Sequence, residues 1–213
     1  LVLCTSDSLS PTGYNQLTNN DFANYALKQL VSDLRATFKI AWPSRGIWHR
    51  SYVETRIPAV PSLIVELLSH QNFADMRYAH HPAFQFTVAR AIYKASLRYL
   101  SELYGTGYVL QPLPITTFSA LLKNDSVQLS WKPSVDKLEP TAFPTSYKVY
   151  TRKEDGSFDN GVLIKGTSCT LPIDDDVLYR FKVVAVNPGG ESFPSEELSV
   201  CKVSKAKGEA LII

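Results

Sequence analysis

The hydrophobic pattern changes its period near residue 105, and one layer of secondary structure cannot satisfy both halves. Before that point Phe22, Ala26, Leu30 and Leu34 recur at helical spacing. Phe84, Val88, Ile92 and Leu97 do the same, with Tyr93 and Leu100 filling the same face. After Gly105 and Gly107 the helical period is gone. Residues 126–131, 146–152 and 178–187 instead alternate apolar with polar, separated by clusters of Gly, Pro, Asn and Asp. The chain therefore predicts two domains of different class: an α/β domain over 1–105 and an antiparallel β-sandwich over 108–204. The polar stretch from Lys202 to Glu209 leads into Ala210, Leu211, Ile212 and Ile213, and 205–213 is expected to begin a further segment.

Within the first domain the two helical patterns flank a stretch punctuated by Pro43, Pro58 and Pro61. The short apolar run 62–68 that follows predicts a buried strand. This domain carries 10 basic and 7 acidic residues and all four histidines, and the second carries 12 basic and 13 acidic residues and no histidine. Groups suited to acid–base or metal chemistry are thus concentrated before residue 105. The overall charge of +2 is too small to mark a nucleic-acid partner, and 45% hydrophobic residues are enough for packed cores rather than disorder. No apolar run reaches the roughly 20 residues of a membrane-spanning helix. Three cysteines, Cys4, Cys169 and Cys201, leave at least one unpaired, and pairing of Cys169 with Cys201 stays open.

The second domain has a recognisable form. Val127-Gln128-Leu129-Ser130-Trp131 is followed by Tyr147 opening a strand. The long run Tyr179 to Asn187 then leads into Gly189-Gly190-Glu191-Ser192 and Pro194-Ser195. Over about 108–204 this resembles a fibronectin type III domain. The resemblance implies a spacer or interaction module in which Trp131, Tyr147, Tyr179, Phe181 and Val183 point inward. It also implies that the Tyr179 hydroxyl ties down the preceding loop as a tyrosine corner.

In the first domain, Arg45-Gly46-Ile47 is followed by Pro58 and then by Val60-Pro61-Ser62-Leu63-Ile64-Val65-Glu66-Leu67-Leu68-Ser69-His70-Gln71-Asn72. Asp75, His81-Pro82 and the helical run 84–100 come next. The order and spacing resemble the C-terminal half of a zinc-dependent N-acetylmuramoyl-L-alanine amidase domain. The resemblance implies that Glu66 is the catalytic residue, activating a zinc-bound water against the amide joining muramic acid to L-alanine. His70, Arg45 and Asn72 are the substrate-side candidates. A carboxylate ending an apolar strand is costly to bury without a partner, so Glu66 has two readings: catalysis, or a structural ion pair with Arg56 or Arg45. His70 lies four residues beyond Glu66, but on a strand and loop, so a helical metal-binding pair is not available. Leu67-Leu68-Ser69-His70 replaces the family's usual Gly-Phe after the glutamate. His80 and His81 are expected at a helix start, and His49 in a loop beside Trp48.

Zinc in that family is held by two histidines and a glutamate that come earlier in the domain. Here no histidine precedes His49, and Asp7 is the only acidic residue before Asp21. The expectation is that zinc belongs to a full-length parent, with no metal ligands in this chain. Residues 67–76 and Arg90-Ala91-Ile92-Tyr93-Lys94 further resemble secreted Bacteroidetes proteins labelled xanthan lyases, in which an amidase-like domain precedes a fibronectin type III domain. The functional expectation is an extracytoplasmic cell-wall hydrolase acting on peptidoglycan or another extracellular glycan. The alternatives are a non-catalytic binding or adhesion module and a polysaccharide lyase component, for which Tyr52, His49 and Arg56 would be the candidate groups. An uncovered sheet edge invites pairing, so an associated N-terminal fragment or a second copy is the expected protein partner.

Overall fold

The computed structural model describes residues 2–4, 16–206 and 208, with 2–4 and 16–18 as backbone alone. The readings placed on Asp7, on the Cys4 side chain and on 210–213 lie outside the described residues. The chain divides into two compact units, Leu1–Tyr108 and Val109–Ile213.

In the first unit the helical periods become α1 (Gln16–Phe38) and α4 (Pro82–Tyr104), which pack against each other. Leu30 and Leu34 of α1 meet Phe84, Val88 and Ala91 of α4 around the buried Trp42. The helix ends are chemically marked. His81 caps α4 through Nδ1, which accepts the Ala83 N–H at 3.2 Å, and Pro82 follows as the first helical residue. Gly105, at φ +61°, ends α4 in the left-handed conformation that a residue without Cβ adopts readily, at the point where the period changes. Leu100, expected on the buried face, is exposed, because the buried stripe of α4 runs through Ala91, Lys94, Ala95 and Tyr99 instead.

A small mixed sheet lies beside these helices. β1 (Val2–Cys4) is central, with β2 (Ile47–His49) parallel on one side and β3 (Ile64–Val65) antiparallel on the other. Two short helices, α2 (Val53–Arg56) and α3 (Phe73–Ala79), flank β3 in the chain. The run 62–68, expected as a buried strand, pairs only over Ile64–Val65, and both residues are half-buried. Ser62 before it is held by a side chain, its N–H donating to Asn19 Oδ1 at 2.9 Å, and the residues after Val65 leave the sheet to become a loop. His49, expected in a loop, ends strand β2.

In the second unit the alternating runs form two antiparallel sheets. One is β4 (Thr116–Lys123), β5 (Ser126–Lys132) and β8 (Ser168–Pro172), in the order β4-β5-β8. The other holds β7 (Val162–Ile164), β6 (Ser146–Lys153), β9 (Leu178–Asn187), β10 (Gly190–Glu191) and β11 (Leu198–Cys201). Its order is β10-β9-β6-β7, with β11 also on β9. Every second residue faces inward, so Val127, Leu129, Trp131, Tyr147, Val149, Phe181 and Val183 form one core. Trp131 and Tyr147 meet edge-on with centroids 5.4 Å apart. This sandwich is the arrangement implied by the fibronectin type III resemblance.

Pro194 cannot donate to a ladder, and it divides the last strand into β10 and β11. Two serines bridge the break. Ser192 Oγ accepts the Ala185 N–H and Ser195 Oγ the Val183 N–H, each at 3.0 Å, while their own N–H groups donate to the Ala185 and Val183 carbonyls. Cys169 and Cys201 are free thiols on β8 and β11 of opposite sheets, so the pairing left open by the sequence is not made.

Tyr179 forms the expected corner. Its hydroxyl donates to Asp174 Oδ2 at 2.7 Å and accepts the Asp174 N–H at 3.1 Å, while Lys153 Nζ lies 3.0 Å from the same carboxylate oxygen. The Tyr179 hydroxyl first, and then Lys153, holds the Asp174 carboxyl below its ordinary value of 3.8. A depressed folded-state value stabilises the fold above the ordinary value, and that stability is lost as pH falls through the folded value. Tyr179→Phe should lower the stability of this unit by about 1–2 kcal/mol at neutral pH and flatten its loss of stability below about pH 4. Denaturant titrations at pH 7 and pH 3, followed by the amide signals of Val127 and Val183, test this.

Candidate functional site

The chemistry-bearing residues singled out in the sequence come together only in part. A cavity of about 550 Å³ in the first unit is lined by Glu66, His70 and Arg45, and also by Trp42, Asp75 and Tyr78. Glu66 is the first residue after β3, where the chain leaves the sheet, so its carboxylate stands at a strand end. Arg45 arrives from the other wall, on the loop between α1 and β2. That loop is fixed by Arg35, whose Nε and Nη2 donate to the Trp42 carbonyl at 3.1 and 2.8 Å. Gly46, at φ +76°, then turns the chain from Arg45 into β2.

The floor of the site is aromatic. Trp42 is buried and packs against Phe84 at 5.4 Å between centroids, and Tyr78 meets Trp42 edge-on at 4.9 Å. The loop from Glu66 to His70 is anchored at its far end, where the Ser69 N–H donates to Asp75 Oδ2 at 2.9 Å. Glu66 and Asp75 thus bring two carboxylates to the cavity, and Arg45 is its single lysine or arginine.

Two expectations change. Glu66 is exposed, so the cost of burying a charge gives it no special reason to be there; its position at a strand end facing a cavity is what singles it out. Asn72 does not line the cavity. It caps α3, its side-chain oxygen accepting the Ala74 N–H at 2.9 Å and the Asp75 N–H at 3.3 Å. The signal was legible in the residue type, since Asn is among the favoured residues at a helix N-cap. His81 opens α4, in keeping with its reading as a helix-start residue, whereas His80, read the same way, is instead the C-terminal cap of α3. His49, Tyr52 and Arg56 are likewise not among the lining residues, and Arg56 Nη1 donates to Ser51 Oγ at 3.2 Å. Asp75, Tyr78 and Trp42 belong to the cavity without having been picked out as site residues; only their placement in three dimensions reveals them.

Among the described residues no group of three His, Cys, Asp or Glu side chains is placed to hold a metal ion. The described residues do not fit a zinc centre. No helix among the described residues is long and apolar enough to cross a membrane.

No protein-family model matches the chain, and a comparison with curated proteins gives no match. Among solved structures, the chain is similar to the twitchin kinase region from C. elegans at 23% identity and a TM-score of 0.39, over 46% of this chain and 18% of that one. It is similar to titin kinase and its flanking domains at 24% identity and a TM-score of 0.38, over 44% of this chain and 18% of that one. The FN5 domain of Drosophila Lar is similar at 17% identity and a TM-score of 0.35, over 44% of this chain and 98% of that domain. The chain thus spans less than a fifth of the length of the first two. The assignment of the second unit as a fibronectin type III-like sandwich rests on its own strand order, inward-facing residues and tyrosine corner.

Proposed function

We propose that the first unit is the C-terminal part of an amidase-like domain of a cell-wall hydrolase, with Glu66 as its catalytic acid–base residue. The second unit is then a spacer or interaction module in an extracytoplasmic protein. The observation that carries this is the meeting of Glu66, His70 and Arg45, three of the residues the resemblance marks, at one cavity beside the end of β3. An exposed carboxylate at such a mouth is accessible for taking and returning a proton at a peptide bond. Arg45 supplies the cavity's permanent positive charge, and His70 is a second substrate-side group. In this reading peptidoglycan is the substrate, and zinc is a cofactor of the full-length parent, held by ligands outside this chain.

Glu66→Gln in the full-length parent keeps the shape of the side chain and removes its basicity. The expected result is loss of at least about 100-fold in the release of stem peptides from purified peptidoglycan, with unfolding behaviour unchanged. Wild-type turnover by the variant would sink the assignment. A second reading is a binding module that keeps the fold without the chemistry. That reading predicts binding to peptidoglycan with no cleavage by the parent.

A further inference from the structure

The single cationic group of the cavity wall is held in an unusual way. Arg45 Cζ lies 5.0 Å from the centroid of the Trp48 ring, and Arg50 Cζ lies 5.5 Å from the same centroid. Trp48 is 40% exposed, and both arginines are exposed. Among the described residues no carboxylate lies within ion-pair distance of either guanidinium. The ring attracts each cation through its quadrupole. The two cations repel each other, and an anion bound beside them relieves that repulsion. A guanidinium lying over an aromatic face keeps its N–H edge free, and that edge matches a carboxylate with two parallel hydrogen bonds. The holder is ordered, since Trp48 is the middle residue of β2 and its backbone pairs with Leu3 of β1.

We propose that Arg45, which lines the cavity, forms a carboxylate clamp with Trp48 and Arg50, which stand next to it outside the lining. It receives an acidic group of the peptide-bearing substrate while Glu66 faces the bond to be cut. This rests on the amidase-like reading and adds to it a specificity element. Arg45 and Arg50 touch the carboxylate, and Trp48 is a positioning residue acting through them. The indole also orders two long side chains before the ligand arrives, which reduces the entropy lost on binding.

The test uses the 213-residue chain and two probes: muramyl dipeptide with its free carboxylate, and the same molecule with that carboxylate converted to the amide. Binding is followed by the backbone amide NMR signals of residues 45–50 and, in chains that keep Trp48, also by its indole N–H signal. The clamp predicts a saturable shift and about tenfold tighter binding of the acid than of the amide, a preference that weakens as salt is added. In Trp48→Leu and in Arg45→Gln the acid-to-amide ratio should fall towards one, whereas Trp48→Phe, which keeps an aromatic face, should retain most of it. Equal binding of acid and amide overturns the clamp, as does absence of any saturable shift, or an unchanged ratio in Arg45→Gln. Arg45→Gln decides the matter if Trp48→Leu fails to give a folded spectrum. Failure of the amidase-like reading has a different signature. A glutamyl dipeptide without sugar would then show the same acid-over-amide preference, and Glu66→Gln would leave the parent's turnover unchanged.

Discussion

Lys94→Met is expected to destabilise the first unit by about 3–5 kcal/mol, because it leaves a buried carboxylate without its counter-ion. Lys94 is 1% exposed in the middle of α4, and its Nζ lies 3.1 Å from Oδ2 of Asp33, itself 4% exposed on α1. The pair belongs to a chain of polar contacts between the two helices. Gln29 Nε2 donates to Asp33 Oδ1 at 2.8 Å, Arg98 Nη1 to Gln29 Oε1 at 2.6 Å, and Arg98 Nε to the Tyr108 hydroxyl at 2.8 Å. Methionine fills nearly the same volume as lysine, so the loss reports on charge rather than on a cavity. Removing both charges in Asp33→Leu/Lys94→Met should recover much of it, since two apolar side chains of similar size replace a buried ion pair at little cost. The α-helical circular dichroism signal follows this unit alone, because all four α-helices among the described residues lie in it. Equal stability of Lys94→Met and wild type would show that the pair contributes nothing to the packing of α1 on α4.

Gly189→Ala is expected to cost the sandwich about 3 kcal/mol, the upper part of the range for forcing an extra methyl into a packed site. A Cβ built at Gly189 would lie 2.2 Å from the Val109 carbonyl oxygen and 2.9 Å from the Leu110 carbonyl carbon. These are backbone atoms, which cannot turn aside as a side chain can. They are also tied in place: buried Asn187 donates through Nδ2 to the carbonyls of Leu110, Thr141 and Phe143, and its Oδ1 accepts the Gly189 N–H at 2.8 Å. One amide thus joins the β9–β10 turn to the strand-entry segment and to the 3₁₀ turn at Pro140–Ala142. Gly190, one residue on, meets only Gln111 Cβ at 4.0 Å, so any cost of Gly190→Ala would come from its φ of +126° rather than from crowding. Thermal unfolding of the two variants, read from the Val127 and Val183 amide signals, checks the first value. A Gly189→Ala variant as stable as wild type would mean that the entry segment moves freely against the turn.

How far the sequence carried the structure depends on how local the signal is. The long helices and the strands β5, β6 and β9 follow from period alone, because each buries one face against one core. The end of α4 at Gly105 was equally legible, since a left-handed cap asks for glycine. The strand expected over 62–68 shortened to Ile64–Val65 because an apolar run without alternation fixes no register, and among the described residues it pairs with β1 alone. Lys94 was invisible as a core residue. Its type argues for solvent, and a partner such as Asp33, 61 residues earlier in the chain, makes burial acceptable.

The site was legible to a similar degree. Glu66 and His70 stand on one short loop after β3, so a linear motif finds them. Arg45 and Trp42 reach the same cavity from one loop fixed by Arg35, and Tyr78 arrives from α3, a segment that no spacing connects to them. Asn72 illustrates the opposite error, a polar residue whose motif position suggests substrate contact while its oxygen serves the first turn of α3. The stacking of Arg45 and Arg50 on Trp48 was also out of reach, because it depends on the turn at Gly46 and on the strand that follows.

The most direct test of the central claim is to identify the bond cut when the full-length parent is incubated with purified peptidoglycan. The expected products are stem peptides with a free L-alanine amino group and intact glycan strands, with the release abolished by Glu66→Gln. Unsaturated, ultraviolet-absorbing sugar ends released from a polysaccharide, with no new alanine amino group, would contradict it.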